Sequence, residues 1–325
     1  MGVRKEYAFG VDVGATNVRV GVGDNNGHVL KKIYEKTDKT HGSEGIAQQI
    51  IQMIHKLQVE AQTTVLGIGI GSIGPLDLKR GAITNSPNIP FKFVPLREPI
   101  ANEFDTSIIL LNDCNAAVVG ERLYGAGKGL NHLVYVTLST GIGGGAFVDG
   151  HLLLGKDGNA SEVGHIVIDV EGRLKCGCGK RGHWEAYCSG KNIPNYVRMI
   201  LNEVEGNESS LKRMKSNKHG ITTKLLFEEA EQGDKLSLDI VDSIGRLNAT
   251  AFASLINIYD PSIVIVGGAL ALKHGALILN PIKRYVPNYI VNREPEIVIT
   301  PLGEDVVLLG AIATVYNPNY AFFKS

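Results

Sequence analysis

The chain has 325 residues and balances 33 Lys and Arg against 33 Asp and Glu, so no long-range field draws it to nucleic acid or an anionic membrane. That length buries a large core and is usually split into two domains or lobes, and 44% hydrophobic residues with 39 glycines fit an α/β protein rich in tight turns, not a disordered one. No apolar run reaches membrane-spanning length, the charged Met1–Tyr7 lacks a signal core, and Glu6 stands where a myristoylation motif needs Ser or Thr.

In chain order, Tyr7–Val13 and Asn17–Val22 read as apolar strands joined by a turn of Gly14, Ala15 and Thr16, with Asp12 ending the first strand. Such a tip offers backbone N–H groups, a hydroxyl and a carboxylate, the parts that hold phosphate and, through water, Mg²⁺. An ordinary turn explains Asp-x-Gly-x-Thr about as well. Ser43 can cap a helix from Glu44 to about Val59, with Ile46, Ile50, Ile54 and Leu57 at helical spacing. The apolar strand Val65–Ile70 follows. Gly69, Gly71 and Gly74 match G-x-G-x-x-G, but Pro75-Leu76-Asp77 gives a turn where a dinucleotide fold needs a helix. Ser86–Pro90 is a proline-fixed loop in which Asn88 can point at a ligand.

Ser107–Leu111 is a strand, with Asn112 and Asp113 at its C-terminal end and a helix starting by Asn115–Glu121. Ligands of α/β proteins sit at such strand ends, although Asp113 could equally cap the helix. Leu133–Leu138 is a buried strand leading into Ser139, Thr140, Gly141, Ile142, Gly143, Gly144 and Gly145. Ala146–Val148, an Asp149-Gly150 turn and His151–Leu154 complete a second hairpin, so Gly141, Gly143 and Ala146 are not a dinucleotide fingerprint either. Two glycine-tipped hairpins suggest two similar lobes around one nucleotide.

Ser161–Glu185 packs Glu162, His165, Cys176, Cys178, His183 and Glu185 into one interval. Cys-x-Cys with one histidine downstream and one upstream is a four-ligand zinc pattern, which also fits a reducing compartment. Glu162 and Glu185 then either face a polar ligand or are merely solvated. Lys191–Val204 and Lys224–Gln232 read as surface helices separated by the polar stretch Glu205–Gly220. Leu236–Tyr259 is a long helix stopped by Asp260-Pro261. Ile263–Val266 runs into Gly267-Gly268, where a nucleoside can approach the backbone closely. Glu296–Thr300 is the last strand and Val306–Tyr316 a buried closing helix.

Five of these stretches together resemble the ROK family of sugar kinases and related repressors, over about Gly10 to Tyr316. They are Asp12–Asn17, Leu138–Gly145, Ser161–His165, Cys176–Gly179, and Asp260-Pro261 with Val266–Gly268. The resemblance implies an α/β, two-lobed actin-like (ribonuclease H-like) ATPase fold with its active site in the interlobe cleft. Residues 1–118 plus 301–325 would form the small lobe and 119–300 the large one. By the same resemblance Asp113 is the catalytic base, and Asn88, Asn112, Asp113, Glu162, His165 and Glu185 bind the sugar. Asp12, Gly14, Ala15, Thr16, Asn17, Ser139, Thr140, Gly141, Gly143, Gly144, Gly267 and Gly268 surround ATP. His165, Cys176 and Cys178 are zinc ligands, with His183 where the family usually has a fourth cysteine. A second departure is Ile73-Gly74-Pro75 in place of the usual proline-glycine turn near the sugar.

The expectation is therefore a cytoplasmic, ATP- and Mg²⁺-dependent hexose kinase acting at the 6-hydroxyl, with a structural Zn²⁺ and a homodimeric assembly. It has no nucleic-acid or membrane partner. An N-acetylglucosamine or N-acetylmannosamine kinase is the alternative within the family. A sugar-responsive regulator fits less well, since its helix-turn-helix domain would precede a first phosphate loop that here starts at Asp12. A filament-forming actin-like ATPase would have no use for Glu162, His165 and Glu185.

Overall fold

A computed structural model describes residues 7–61, 64–203 and 220–320; the connector expected over Glu205–Gly220 lies outside them, save Gly220. Strands β1 (Tyr7–Val13), β2 (Asn17–Gly23) and β3 (Val29–Lys36) form a meander in which β2 pairs antiparallel with both of its neighbours. After α1 (Gly45–Ala61), β4 (Val65–Ser72) pairs parallel to β1. The short β5 (Leu76–Asp77), β6 (Ala82–Thr84) and β7 (Phe93–Pro95) make a separate antiparallel sheet. Helix α2 (Arg97–Phe104) leads to β8 (Ile108–Asn112), parallel to β4, and then to α3 (Asp113–Tyr124). The main sheet thus has the order β3-β2-β1-β4-β8.

Strand parity decides what each face of β1 meets. Phe9, Val11 and Val13 join Ile46, Ile50, Ile54 and Leu57 of α1 in one core. Ala8 turns to the other face, against Leu308 and Ile312 of the closing helix. Asp12 shares the parity of Ala8, so it points to that second face.

A second mixed sheet is built from β9 (Leu133–Leu138), β10 (Ile142–Val148) and β11 (His151–Leu152), followed after a long excursion by β12 (Ile263–Gly267) and β13 (Glu296–Ile299). Its order is β11-β10-β9-β12-β13, with β12 and β13 parallel. The excursion holds α4 (Glu185–Cys188), α5 (Ile193–Glu203), α6 (Thr223–Glu231) and α7 (Lys235–Tyr259). Asp234 caps α7, its Oδ2 accepting from Ser237 N at 2.9 Å, and Asp260 ends it in a left-handed conformation, φ 44°. Helices α8 (Ala269–Lys273) and α9 (Gly275–Tyr285) connect β12 to β13, and α10 (Val306–Tyr316) closes the chain's ordered core.

Gly69, from the discarded dinucleotide match, has a packing role that Gly310 shares. A Cβ on Gly69 would lie 1.9 Å from the carbonyl oxygen of Ala311, and one on Gly310 1.7 Å from that of Ala116. Only glycine lets α10 settle this closely on β4 and α3. The chain divides into two compact units: Met1–Tyr135, Gly145–Ser161 and Thr300–Ser325 form one, Val136–Gly144 and Glu162–Ile299 the other. The mixed sheets and their helices form the actin-like, ribonuclease H-like α/β architecture. Among the described residues no helix is long and apolar enough to cross a membrane.

Candidate active site

In the first unit, register places the expected residues at one sheet edge. Val13, Ser72 and Asn112 stand side by side at the C-terminal ends of β1, β4 and β8. The β1–β2 turn is closed by Gly14 N donating to Asn17 O at 2.9 Å, and Thr37 secures it through Thr16 O and Gly14 O. Ala15 and Thr16 form the tip. Asp12 faces Arg19 across the hairpin. Arg19 Nη1 donates to Asp12 Oδ2 at 3.0 Å, and Nη2 reaches Glu304 Oε2 at 3.3 Å. Burial pushes the Asp12 carboxyl up, Arg19 draws it back, and Asp305 adds to the rise. Arg19 was missed in the sequence: three turn residues would pair Asp12 with Val18, whereas the observed register pairs it with Arg19.

The helix after β8 starts earlier than Asn115. Asn112, not Asp113, is the N-cap of α3: its Oδ1 accepts from Cys114 N at 2.9 Å. Asp113 Oδ1 accepts from the same N–H at 2.8 Å, so the two adjacent side chains are held by one donor. Asn88 lies exposed in its loop, where its carbonyl accepts from Lys39 Nζ at 2.9 Å. The structure shows no hydrogen bond from Asn88 to the other expected sugar residues.

In the second unit, the glycine loop and the histidine–cysteine interval meet. Ser139 N donates to Gly141 O at 3.0 Å, and Gly190 N and Lys191 N donate to Ser139 O and Thr140 O. Gly143 and Gly144 continue in β10. Glu185 Oε2 accepts from Ile142 N at 2.9 Å, tying α4 to the loop. Gly268, φ 87°, sits against the end of β9, where a Cβ would come 2.5 Å from Leu138 O. Gly267 precedes it at the end of β12. A short turn, Val163–His165, carries Glu162 and His165, with His165 N donating to Glu162 O at 3.0 Å. Glu162 Oε2 is 3.8 Å from His165 Nε2. Desolvation raises the Glu162 carboxyl, His165 opposes this, and Glu185 adds to it.

His165, Cys176, Cys178 and His183 converge, their ligand atoms all within 4.8 Å of one another. Cys178 Sγ is 3.3 Å from His183 Nδ1, and Cys176 Sγ is 3.8 Å from His165 Nδ1. A tetrahedral zinc site has sulfur–nitrogen edges of about 3.6 Å, between these two values. Gly179, φ 91°, lets the chain turn back so that Cys176 N donates to Lys180 O at 2.8 Å. His183 pairs in a β-bridge with Val167. Burial pushes the Cys176 thiol up to about 12. The donor set fits zinc, with His183 competent as the fourth ligand. The Asp12 carboxylate is an oxygen donor of the kind a hard cation such as Mg²⁺ takes.

The ROK family profile matches residues 8–317. The chain belongs to the ROK family. It is 38% identical over 313 residues to a glucokinase of Aeropyrum pernix, covering 95% of this chain and 96% of that one. A glucokinase of Thermotoga maritima is 36% identical over 311 residues, with 94% and 96% covered. Among solved structures, a ROK family glucokinase from Streptomyces griseus in complex with glucose and AMPPNP superposes with a TM-score of 0.80 at 31% identity, covering 96% of this chain and 99% of that one. The ROK match and the fold likeness agree with the sequence resemblance.

Proposed function

We propose that this chain is an ATP-dependent hexose kinase that phosphorylates the 6-hydroxyl, with glucose as the leading substrate. Three lines support it: membership of the ROK family, the glucokinases it is similar to, and the Glu185–Ile142 hydrogen bond. That bond carries the reading, because it joins a carboxylate suited to a sugar hydroxyl to a backbone suited to phosphate.

Phosphoryl transfer asks chiefly for positioning and charge stabilisation. Asn88, Asn112, Glu162, His165 and Glu185 orient the sugar hydroxyls. Asp113 takes the proton from the 6-hydroxyl as that oxygen attacks the γ-phosphorus, and the bond to the β-phosphate oxygen breaks to leave ADP. Gly14, Ala15, Thr16 and Asn17 on one hairpin and Ser139, Thr140, Gly141, Gly143 and Gly144 on the other offer donors to the phosphates, and Gly267-Gly268 faces the adenosine. When bound, Mg²⁺ neutralises charge on the β- and γ-oxygens, and Asp12 is the residue that would hold it. His165, Cys176, Cys178 and His183 would close a zinc site with no open position, the mark of a structural metal.

None of the four cysteines is in a disulfide, which suits a cytoplasmic enzyme. A homodimer is the assembly proposed, to be checked by light scattering. The deciding assay couples ADP release to a panel of glucose, mannose, fructose, N-acetylglucosamine and N-acetylmannosamine. Turnover highest with glucose supports the reading, turnover highest with an N-acetylated sugar replaces it with the alternative kinase, and no turnover with any sugar removes it.

A further inference from the structure

Ser161 precedes Glu162, yet its hydroxyl has no assigned role. Its backbone is left-handed, φ 62°, a conformation that a residue with a Cβ adopts at a cost and glycine adopts freely. Its Oγ is also buried and has no hydrogen-bond partner. Serine in such turns usually bonds to neighbouring backbone. Ser161 does not.

The conformation is imposed from both sides. Upstream, Asn159 is tied to Leu76 twice: Leu76 N donates to Asn159 Oδ1 at 3.1 Å, and Asn159 Nδ2 donates to Leu76 O at 3.0 Å. Ala160 N donates to Leu154 O at 3.0 Å. Downstream, the Val163–His165 turn is fixed by Gly164, where a Cβ would stand 2.2 Å from Ile142 O. Glycine at 161 would meet these constraints with less strain and without an unsatisfied hydroxyl. Two separate costs therefore fall on one side chain that does nothing for the fold.

We infer that the Ser161 hydroxyl is a sugar-binding group that discriminates among hexoses by a hydrogen bond to one ring hydroxyl. The residue is half-buried rather than enclosed, and χ1 has other staggered positions open to Oγ when a ligand offers a partner. A hydroxyl both donates and accepts, which suits the sugar hydroxyl beside an acceptor-only carboxylate such as Glu162.

The inference rests on the hexose-kinase reading, and its test separates the two. Ser161→Gly keeps the left-handed backbone and removes only the hydroxyl. Glucose and its 2-, 3- and 4-deoxy analogues are titrated by calorimetry into wild type and variant, with kcat and KM measured beside them. The variant is expected to bind glucose about three- to tenfold more weakly, the loss of one neutral hydrogen bond, with kcat within about twofold and Tm equal or higher. One deoxy sugar, the one lacking the partner hydroxyl, should bind both proteins equally. Equal glucose affinity of variant and wild type, in an enzyme that turns glucose over, would overturn the inference alone. Equal losses for glucose and all three analogues would overturn it too, since no single hydroxyl would then be read. Absence of hexose turnover in the wild type would remove the kinase reading, and this inference with it.

Discussion

Replacing Arg19 with Met takes the counter-ion from a buried carboxylate while keeping much of the side chain's length. Asp12 is 9% exposed and accepts from Arg19 Nη1 at 3.0 Å. Burial is the strongest influence on it, so its carboxyl titrates above the usual 3.8 even with Arg19 in place. A carboxyl raised on folding binds more protons in the folded state, so its contribution is most favourable at low pH and is lost as pH rises through the raised value. Met removes the attraction and the hydrogen bond, moves the carboxyl further up, and extends that window to higher pH. Breaking a fully buried pair costs about 3–5 kcal/mol, but the Arg19 side chain is 32% exposed, and solvent screening lowers the expected loss to about 1–3 kcal/mol. That corresponds to a fall in Tm of roughly 2–8 °C near pH 8. The deficit should shrink as pH falls through the raised value, below which a protonated Asp12 needs no counter-ion. Differential scanning fluorimetry across that range measures it. A deficit independent of pH would refute the argument, as would an Asp12→Asn, Arg19→Met double variant no more stable than Arg19→Met alone.

Asp113→Asn keeps the shape and an acceptor but cannot take a proton, so kcat should fall by about 10²–10⁴ while ATP and sugar affinities stay within about threefold. A variant retaining a tenth or more of wild-type kcat would make Asp113 a positioning residue instead. Protein purified without chelator should contain a single zinc per chain by elemental analysis, and His183→Ala should lower zinc content and Tm while raising the sugar KM, because His165 is shared. Metal-free protein with full activity and unchanged Tm would refute a structural zinc. Gly268→Ala forces a Cβ to 2.5 Å from Leu138 O at φ 87°, so it should weaken ATP binding by about tenfold or more and spare sugar binding. Calorimetry with each ligand decides this, and equal losses for both would indicate general unfolding.

What the sequence disclosed depended on how local the cause was. The β1–β2 hairpin, the long α7 and the buried α10 follow from apolar period and turn residues. The convergence of His165, Cys176, Cys178 and His183 was legible because they lie within one short interval whose turns are fixed by Gly179 and Gly182. Strand β3, VLKKIYEK, was not read: it is an exposed edge whose conformation comes from pairing with β2, and its charges mask the alternation. The start of α3 was placed late because Asn112 and Asp113 are both good caps, and only the backbone, extended at Asn112 and helical from Asp113, singles out Asn112. Glu304 beside Arg19 and Ile142 beside Glu185 had no local signal. The sequence separations are 285 and 43 residues, and only the folded chain brings the partners together.

The Glu185 contact also links the histidine–cysteine cluster to the glycine loop. Helix α4 is a single turn of four residues, too short to hold a carboxylate in place by itself. Its position is fixed from outside. Trp184, fully buried, donates through Nε1 to Asn248 Oδ1 at 2.7 Å, and Asn192 Nδ2 donates to Glu185 O at 3.1 Å. The carboxylate then divides its two oxygens: Oε2 accepts from Ile142 N, and Oε1 lies 3.6 Å from Cys176 Sγ. One carboxylate thus touches both the cysteine and the backbone of the glycine loop, and because Trp184 and Asn192 hold α4 in place, the loop and the Glu185 side chain keep one fixed relation.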